Sequence, residues 1–293
     1  ALMDTIVALV KTMRPKQWAK NVFVLAALVF DDKLFMPSFL ARAFAAFCLF
    51  CAISSAVYLI NDVADMEKDR QHPGKRKRPL ASGQLSPNTA VMTAVVIIAM
   101  ALPLAYLLDP TFAAIAFGYL ATITLYSLRL KNIVILDVII VATGFVLRVA
   151  AGVVVVDATR FSPWLVLCMV FGALFIAISK RRHELVLLSD SANAHRRIFS
   201  EYSLALLDEM TRLVTACTAM AYSLYTFSAP NLPQSHAMML TVPFVLYGLF
   251  RYMYLVHIKG EGGAPEDLIF EDKPLLLAII LWGLTVVGIL YFL

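Results

Sequence analysis

The side chains most capable of chemistry lie at positions 61–78, directly after an apolar run long enough to cross a bilayer. Asp62, Asp65 and Asp69 are spaced i, i+3 and i+7, which predicts that their carboxylates line one face of a helix, with the amide of Asn61 one step round. Such closely spaced carboxylates repel one another unless a cation lies between them, and hard oxygen ligands at this density favour Mg²⁺. Because Mg²⁺ usually shares its coordination shell with substrate phosphates, the pattern predicts a site for a metal-bound diphosphate.

A basic run follows the aspartates and could hold phosphate oxygens that the metal leaves uncovered; it comprises Lys75, Arg76, Lys77 and Arg78. The same stretch also fits a simpler interpretation, in which a solvated acidic helix end is followed by cations that only set the membrane topology. Ionisable groups at a membrane surface are often functional, which favours the first interpretation and leaves the second open.

The elements that must position these side chains are membrane helices. The chain has 293 residues, a mean hydropathy of +0.79 and 15% charged residues, which is too apolar for a soluble domain. We therefore predict an all-α polytopic membrane protein with a single domain over residues 1–293. Apolar runs bounded by proline and other helix breakers predict about nine spans. These predicted spans cover residues 19–36, 38–60, 88–108, 111–128, 132–156, 163–180, 203–228, 236–257 and 274–293.

Two other classes of feature carry little weight. The N-terminal segment lacks an apolar stretch ending in a small-residue cleavage site, so we expect no cleavable signal peptide. The four cysteines all fall in apolar runs, where a thiol behaves as a small hydrophobe, so we expect no metal or redox role for Cys48 and Cys51 despite their C-x-x-C spacing.

Lysine and arginine are distributed unequally between the two sides of the membrane. If the N-terminus is cytoplasmic, 19 of the 25 Lys and Arg residues lie in inside segments, whereas the outside loops hold Lys33, Arg42 and Arg160. This asymmetry agrees with the positive-inside rule. We therefore expect a plasma-membrane protein whose N-terminus and charged loops face the cytoplasm, where water-soluble phosphorylated donors are made.

The pattern N-D-x-x-D-x-x-x-D, followed by K-R-x-R-P-L-A-S-G, resembles the first aspartate-rich motif of the UbiA superfamily of intramembrane prenyltransferases. This resemblance implies a helical bundle around a central cavity capped by cytoplasmic loops, Mg²⁺ bound by aspartates, and a polyprenyl chain that enters from the lipid. It also implies that Lys75 and Arg78 are the basic pair that follows the metal site.

Prenyl-transferring members of the superfamily carry a second motif, D-x-x-x-D, and this chain departs from it. Residues 126–137 read Y-S-L-R-L-K-N-I-V-I-L-D, in which Asp137 is the sole acid, and the next acid is Asp157. The departure argues against a prenyl diphosphate donor. The run instead resembles the branch of the superfamily that transfers phosphoribose. Three other segments resemble that branch, namely 14–21 (R-P-K-Q-W-A-K-N), 179–185 (S-K-R-R-H-E-L) and 263–267 (G-A-P-E-D), the last with Ala264 where Glu is expected.

The resemblance implies a donor, 5-phosphoribosyl 1-diphosphate, and an acceptor, a polyprenyl phosphate such as decaprenyl phosphate. Diphosphate is released, and the product serves the synthesis of cell-envelope arabinan or related glycan precursors. The metal ligands would be Asn61, Asp62, Asp65 and Asp69. The catalytic residues would be these three aspartates together with Asp137, which would orient the ribose hydroxyls. The substrate-binding residues would be Lys20, Asn21, Lys75, Arg78, Tyr126, Lys131, Arg148, Lys180, Arg181 and Glu184.

A structural role stays open for some of these residues. Arg148 follows Asp137 by eleven residues, which places both on the same helix face, with Arg148 about 16 Å deeper in the membrane. A cation at that depth is expected to bind either a substrate phosphate or a buried partner group of the protein. Lys180 and Glu184 are spaced i, i+4 and fit either substrate binding or a salt bridge at a helix end.

Two other functions remain as alternatives. One is prenyl transfer from a prenyl diphosphate to an aromatic acceptor, which the missing D-x-x-x-D motif disfavours. The other is a membrane transporter, for which the sequence offers no repeated or interrupted helix pair. The expected partners are the two substrates and the bilayer, without nucleic acid.

Overall fold

The computed structural model describes residues 2–71, 74–159, 161–189, 201–230, 232–263 and 265–293. Arg160, Ala264 and part of the cation-rich segment 180–202 lie outside the described residues. The described part of the chain is helical and contains no β-strand. Its α-helices are α1 (Leu2–Met13), α2 (Ala26–Phe30), α3 (Pro37–Ala64), α4 (Met66–Gln71), α5 (Pro87–Leu108), α6 (Pro110–Leu128), α7 (Leu136–Val155), α8 (Pro163–Ser189), α9 (Leu204–Ser228), α10 (Val242–His257), α11 (Pro265–Glu271) and α12 (Lys273–Phe292). Its 3₁₀-helices are Pro15–Leu25, Lys75–Lys77, Leu130–Asn132 and Ala237–Thr241.

Seven of the described helices are long and apolar enough to cross a bilayer, which confirms an all-α polytopic membrane protein. They are α3, α5, α6, α7, α8, α10 with the 3₁₀ turn before it, and α12. The predicted count of nine spans is not confirmed. Residues 19–36 do not form one long helix, because a 3₁₀-helix ends at Leu25 and α2 has only 5 residues. Helix α9 covers the predicted range 203–228 but is rich in Thr, Ser and charged residues, and it is not among the seven.

Helix boundaries follow from the local sequence. Helices α3, α5, α6 and α8 begin at a proline, whose fixed φ and missing N–H suit the first helical turn. Ser86 caps α5 by accepting from the Thr89 N–H at 3.1 Å, and Asp109 caps α6 by accepting from the Thr111 N–H at 2.7 Å. The predicted breaks at Pro37, Pro87, Pro110 and Pro163 are therefore confirmed.

The chain folds into two compact units, each formed by several separate stretches of sequence. Unit 1 comprises residues 1–26, 36–131 and 147–157. In this unit, α3 packs against α1, α5, α6 and the 3₁₀-helix Pro15–Leu25. Its core contains Phe50, Phe112 and Tyr119, with the ring of Phe50 5.3 Å from that of Tyr119. The end of α7 approaches the 3₁₀-helix so closely that a Cβ added at Gly152 would overlap the carbonyl group of Val24.

Unit 2 comprises residues 27–35, 132–146 and 158–293. Helices α8 and α9 pack against each other, and α10 packs against both α9 and α12. Buried threonines on α9 satisfy their own hydroxyls, because Thr211, Thr215 and Thr218 each donate to the carbonyl four residues earlier. This pairing allows a polar helix to lie in an apolar core. The prediction of a single domain over the whole chain stays a prediction.

Candidate active site

Two aspartates of unit 1 share one arginine. Asp62 lies in the last turn of α3 with 2% of its surface exposed, and its Oδ1 accepts from Arg14 Nη2 at 2.5 Å. Arg78 Nη1 donates to the same Asp62 oxygen at 3.2 Å and to Asp69 Oδ2 at 2.6 Å. A single guanidinium nitrogen therefore joins two buried carboxylates, and the predicted binding of phosphate oxygens by Arg78 stays a prediction.

The three aspartates do not lie on one continuous helix, so that part of the prediction is wrong. Helix α3 ends at Ala64 and α4 begins at Met66, with Asp65 between them at φ −95° and ψ 2°. The backbone hydrogen bonds continue across the break, because Asp65 N donates to Asn61 O at 2.9 Å and Asp69 N donates to Asp65 O at 2.8 Å. The break separates the aspartates into the Asp62–Asp69 pair and Asp65, which has a different partner.

That partner is Lys131. Its Nζ donates to Asp65 Oδ1 at 2.8 Å and to Oδ2 at 2.7 Å. Lys131 belongs to the short 3₁₀-helix after α6 and is 7% exposed, so both charges of this pair are largely removed from water. A buried lysine is stabilised by such a carboxylate, and removing either partner would leave an uncompensated charge. The predicted Asp65 and Lys131 are thus brought together although 66 residues separate them.

In the part of the chain that the structure describes, no three Asp, Glu, His or Cys side chains form a preformed metal site. Arginine and lysine nitrogens occupy the positions beside Asp62, Asp65 and Asp69, and they neutralise these carboxylates. Asn61 is half-buried at the end of α3. The metal assignment of these four residues stays a prediction.

Arg14 is a member of the site that the sequence motifs did not single out as a binding residue. Its backbone is left-handed, with φ 55° and ψ 64°, a conformation that costs a non-glycine residue on the order of 1–2 kcal/mol. Its guanidinium lies over the ring of Tyr58, 4.9 Å from the centroid, and reaches Asp62. Strained residues held by their surroundings are concentrated at functional sites. The R-P-x-Q-W pattern was the available signal, because Arg14 is its first residue.

A cavity of about 250 Å³ opens beside Asp62 in unit 1. It is lined by Lys11, Thr12, Arg14, Asp62, Gly74, Lys77, Arg78 and Pro79. Four of these eight residues are cationic and one is acidic, so the cavity suits an anion. Lys11 and Thr12 lie on α1, where no sequence motif marked them.

Arg148 is at the centre of a second polar network in unit 1. Its Nε donates to Asn21 Oδ1 at 2.7 Å, and its Nη2 donates to the Tyr119 hydroxyl at 2.8 Å. The Asn21 amide in turn donates to Ser54 Oγ at 3.2 Å. Arg148 is 5% exposed, and the network ties α7 to the 3₁₀-helix Pro15–Leu25, to α3 and to α6. These contacts favour the structural interpretation of Arg148 and Asn21, and phosphate binding by either stays a prediction.

Three other predicted binding residues of unit 1 are half-buried. Lys20 is on the 3₁₀-helix Pro15–Leu25, Lys75 begins the 3₁₀-helix Lys75–Lys77, and Tyr126 is in the last turn of α6. Their roles in substrate binding stay predictions.

The second predicted acid, Asp137, lies in unit 2 and is completely buried, with 0% of its surface exposed. The Tyr202 hydroxyl donates to its Oδ1 at 2.7 Å, and Arg181 Nη2 lies 2.6 Å from its Oδ2. The same hydroxyl accepts from the N–H of Ile135 at 2.8 Å. Both carboxylate oxygens are therefore engaged by protein groups, and direct contact with ribose hydroxyls stays a prediction. Tyr202 had no motif to mark it.

Burial raises the pKa of the Tyr202 phenol above its ordinary value, and the hydrogen bond to Asp137 acts in the same direction. The phenol is consequently protonated at neutral pH and remains a hydrogen-bond donor to the carboxylate.

Arg181, rather than Lys180, is the partner of Glu184. Arg181 Nη1 donates to Glu184 Oε2 at 2.5 Å, an i, i+3 pair on α8, so the alternative of a salt bridge between Lys180 and Glu184 is not what the structure shows. Lys180 is exposed on the same helix, and its role in substrate binding stays a prediction. Arg181 is 6% exposed and links the carboxylates of Asp137 and Glu184, which fixes the position of its guanidinium.

Comparison with known proteins identifies several similar chains. The model of the UbiA prenyltransferase family matches residues 21–267. The decaprenyl-phosphate phosphoribosyltransferase of Mycobacterium tuberculosis is 34% identical over 97% of this chain and 94% of its own length. The enzyme of the same name from Corynebacterium glutamicum is 33% identical over 97% of this chain and 86% of its own. The structure of a UbiA homolog from Archaeoglobus fulgidus bound to GPP and Mg²⁺ is similar with a TM-score of 0.74 and 18% identity, over 97% of this chain and 99% of that one.

Proposed function

Because the chain belongs to the UbiA prenyltransferase family, we propose that it transfers 5-phosphoribose from 5-phosphoribosyl 1-diphosphate to a polyprenyl phosphate. Diphosphate is released, and the lipid product serves as a precursor for cell-envelope glycans. Relatives named decaprenyl-phosphate phosphoribosyltransferase, similar over nearly the whole chain, support this choice. The observation that carries it is the enclosure of Asp137 by Tyr202 and Arg181. Prenyl-transferring members of the superfamily carry a second aspartate-rich motif at this place, whereas the acid that this chain has there is buried and paired with protein groups, which disfavours a second metal site.

The residues at the end of α3 fit a divalent metal. Asp62 and Asp69 each direct one carboxylate oxygen at the same nitrogen of Arg78, at 3.2 and 2.6 Å, so two carboxylates already face one positive charge. Carboxylate and amide oxygens are the ligands that Mg²⁺ prefers, and Asn61, Asp62, Asp65 and Asp69 would hold it. A metal held there would supply charge neutralisation for a diphosphate leaving group.

The chain's own residues contribute positioning and electrostatics to the transfer. An oxygen of the lipid phosphate forms a bond to C1 of the ribose while the bond from C1 to the diphosphate breaks. A phosphate monoester has a second pKa of about 6, so the nucleophile is anionic at neutral pH and needs no strong base. Negative charge grows on the departing diphosphate. Arg78 and Lys131 lie beside the aspartates of the proposed diphosphate site, where their positive charges would stabilise that growing charge.

Arg181 has a separate role in this proposal, in which its guanidinium binds a substrate phosphate. Asp137 and Glu184 restrict the guanidinium from two sides, and such restriction lowers the entropy lost when a ligand binds. Asp137 is then a positioning residue that acts through Arg181, and the hydrogen bond from Tyr202 holds the Asp137 carboxylate in place.

The proposed topology places the N-terminus and the charged loops in the cytoplasm, since the donor is water-soluble and the cation asymmetry has that sign. This orientation would bring the aspartates at 62–69 to the membrane face on which the donor is available.

A comparison of two donors tests the proposal. Purified protein in detergent would receive Mg²⁺ with either 5-phosphoribosyl 1-diphosphate and polyprenyl phosphate, or prenyl diphosphate and an aromatic acceptor, with products identified by mass spectrometry. We expect a phosphoribosylated lipid from the first pair and no product from the second. Prenyl transfer alone would establish the alternative reaction, and uptake into sealed vesicles without chemical change would indicate a transporter.

A further inference from the structure

We propose that the cavity beside Asp62 binds the 5-phosphate of the donor, a sugar phosphomonoester, through Lys11 and Lys77. This inference rests on the proposed function for the identity of the donor. The cavity itself is a feature of unit 1, with a volume of about 250 Å³ between α1, the end of α3 and residues 74–79. No sequence motif marked Lys11 or Thr12, whereas Lys77 belongs to the basic run 75–78 for which phosphate binding was predicted.

The cations of the cavity fall into two groups. Arg14 and Arg78 are anchored, because both donate to Asp62. Lys11 and Lys77 line the same space, and within the described residues neither lysine joins an ion pair. Both are exposed at the mouth of the cavity, where their ammonium groups are open to a ligand. Two anchored guanidiniums and two unpaired ammonium groups together favour a compact dianion.

The lining argues against the lipid phosphate as the occupant. The uncharged residues that line the cavity are Thr12, Gly74 and Pro79. Among the described residues, no large apolar side chain lines it. A polyprenyl phosphate would require an apolar path for the chain next to its head group. A small, water-soluble anion meets no such requirement.

The lining also argues against a metal-bound diphosphate inside the cavity. The described lining residues offer one carboxylate, that of Asp62, whereas a metal-bound diphosphate needs several oxygen ligands from the protein around its metal. A metal-bound diphosphate instead fits the neighbouring aspartates, which Arg78 reaches through Asp69. The other phosphate of the donor is the monoester on C5. It binds no metal in this proposal, so it requires cationic side chains and no carboxylates. Arg78 lines the cavity and also contacts Asp69. The 5-phosphate in the cavity and the diphosphate at the aspartates would therefore lie on either side of Arg78.

Direct binding measurements test this assignment without requiring turnover. Isothermal titration calorimetry in detergent with Mg²⁺ would compare ribose 5-phosphate, inorganic diphosphate and a short-chain polyprenyl phosphate. The variants are Lys11→Met, Lys77→Met and the double variant, and Lys68→Met is the control because Lys68 is an exposed lysine on α4 outside the cavity. We expect the Kd of ribose 5-phosphate to rise about tenfold or more in the double variant, the scale of a charge-assisted hydrogen bond. The Kd of diphosphate should change by less than about twofold.

Each other outcome has a definite meaning. Equal losses for ribose 5-phosphate and diphosphate would overturn the proposal in favour of a diphosphate site, and a loss confined to polyprenyl phosphate would overturn it in favour of the lipid. No measurable ribose 5-phosphate binding by the unmodified protein, or an equal effect of Lys68→Met, would also overturn it. Lysine-dependent binding of ribose 5-phosphate in a protein that transfers no phosphoribose would support the cavity assignment and reject the proposed function.

Discussion

The hydroxyl of Tyr202 donates a hydrogen bond to the buried carboxylate of Asp137 at 2.7 Å, across 65 residues of sequence. Tyr202 precedes α9, and Asp137 lies in the first turn of α7. The opposite oxygen of Asp137 pairs with Arg181, so Tyr202 and Arg181 hold one carboxylate between them. A buried carboxylate is stable only when its oxygens are paired, and loss of the phenol would free it to move toward another partner.

Substitution Tyr202→Phe should therefore raise the KM for a substrate phosphate about tenfold through displacement of Arg181, with a smaller change in kcat. It should also reduce the free energy of unfolding by about 1.5–3 kcal/mol, the scale of a hydrogen bond to a charged group. Steady-state kinetics and thermal unfolding in detergent would measure both effects. Tyr247→Phe is the matched control, because Tyr247 is 46% exposed on α10 and should tolerate the change. A loss of stability without any change in KM would reduce Tyr202 to a structural residue.

Substitution Asp65→Asn should abolish turnover in a membrane assay with radiolabelled donor. The amide of asparagine carries no negative charge, so it would bind a metal less well. It also cannot pair with Lys131, whose buried positive charge would be left uncompensated. Glu67→Gln provides the control two residues away, since Glu67 is exposed and its ion pair within the described residues is with Arg70. Its activity should remain within about twofold, as an exposed ion pair contributes little. Full activity of Asp65→Asn would reject the metal assignment of this residue.

Removal of divalent metal by a chelator should abolish transfer, and added Mg²⁺ should restore it. The fold should be less affected, because Arg14, Arg78 and Lys131 neutralise the aspartates without a metal. We expect the melting temperature without substrate to change by no more than about 2 °C, as for weak binding to the native state. Activity that persists in excess chelator would contradict a metal-dependent reaction.

Substitution Gly152→Ala should destabilise the protein by about 1–3 kcal/mol, the usual cost of overpacking. The new Cβ would overlap the Val24 carbonyl, and main-chain atoms cannot move aside as a flexible side chain can. Gly118→Ala is the control, because Gly118 also lies within a helix and an added Cβ would meet nothing within 4 Å. This control should be neutral or stabilising by up to about 1 kcal/mol, since alanine favours helix. Equal melting temperatures for the two variants would contradict the close approach of α7 and the 3₁₀-helix.

Local patterns predicted the helix starts and part of the site. Proline at helix starts acts within one turn, so the beginnings of α3, α5, α6 and α8 could be read directly. The aspartates at 62–69 and Arg78 are close in sequence, so the motif placed them in one candidate site, whereas the ion pairs of Arg78 with Asp62 and Asp69 were not predicted. The break at Asp65 was not predicted, because the residues around it include no proline or glycine to mark the end of a helix. The short elements at 19–36 were missed for a related reason, since apolarity alone does not distinguish a span from a 3₁₀ turn.

The sequence by itself determined the membrane class and the starts of several long helices, and it proposed the chemical type of the candidate site. These properties depend on short stretches of sequence, through the hydropathy of a segment, the positions of prolines and the spacing of carboxylates. Only the tertiary structure decided which cation meets which carboxylate, including Lys131 with Asp65 and Arg181 with Asp137. The buried contact of Arg148 with Asn21 joins positions 127 residues apart. Such pairings depend on the packing of whole helices, and a local pattern of residues contains no information about which distant groups that packing brings into hydrogen-bond distance.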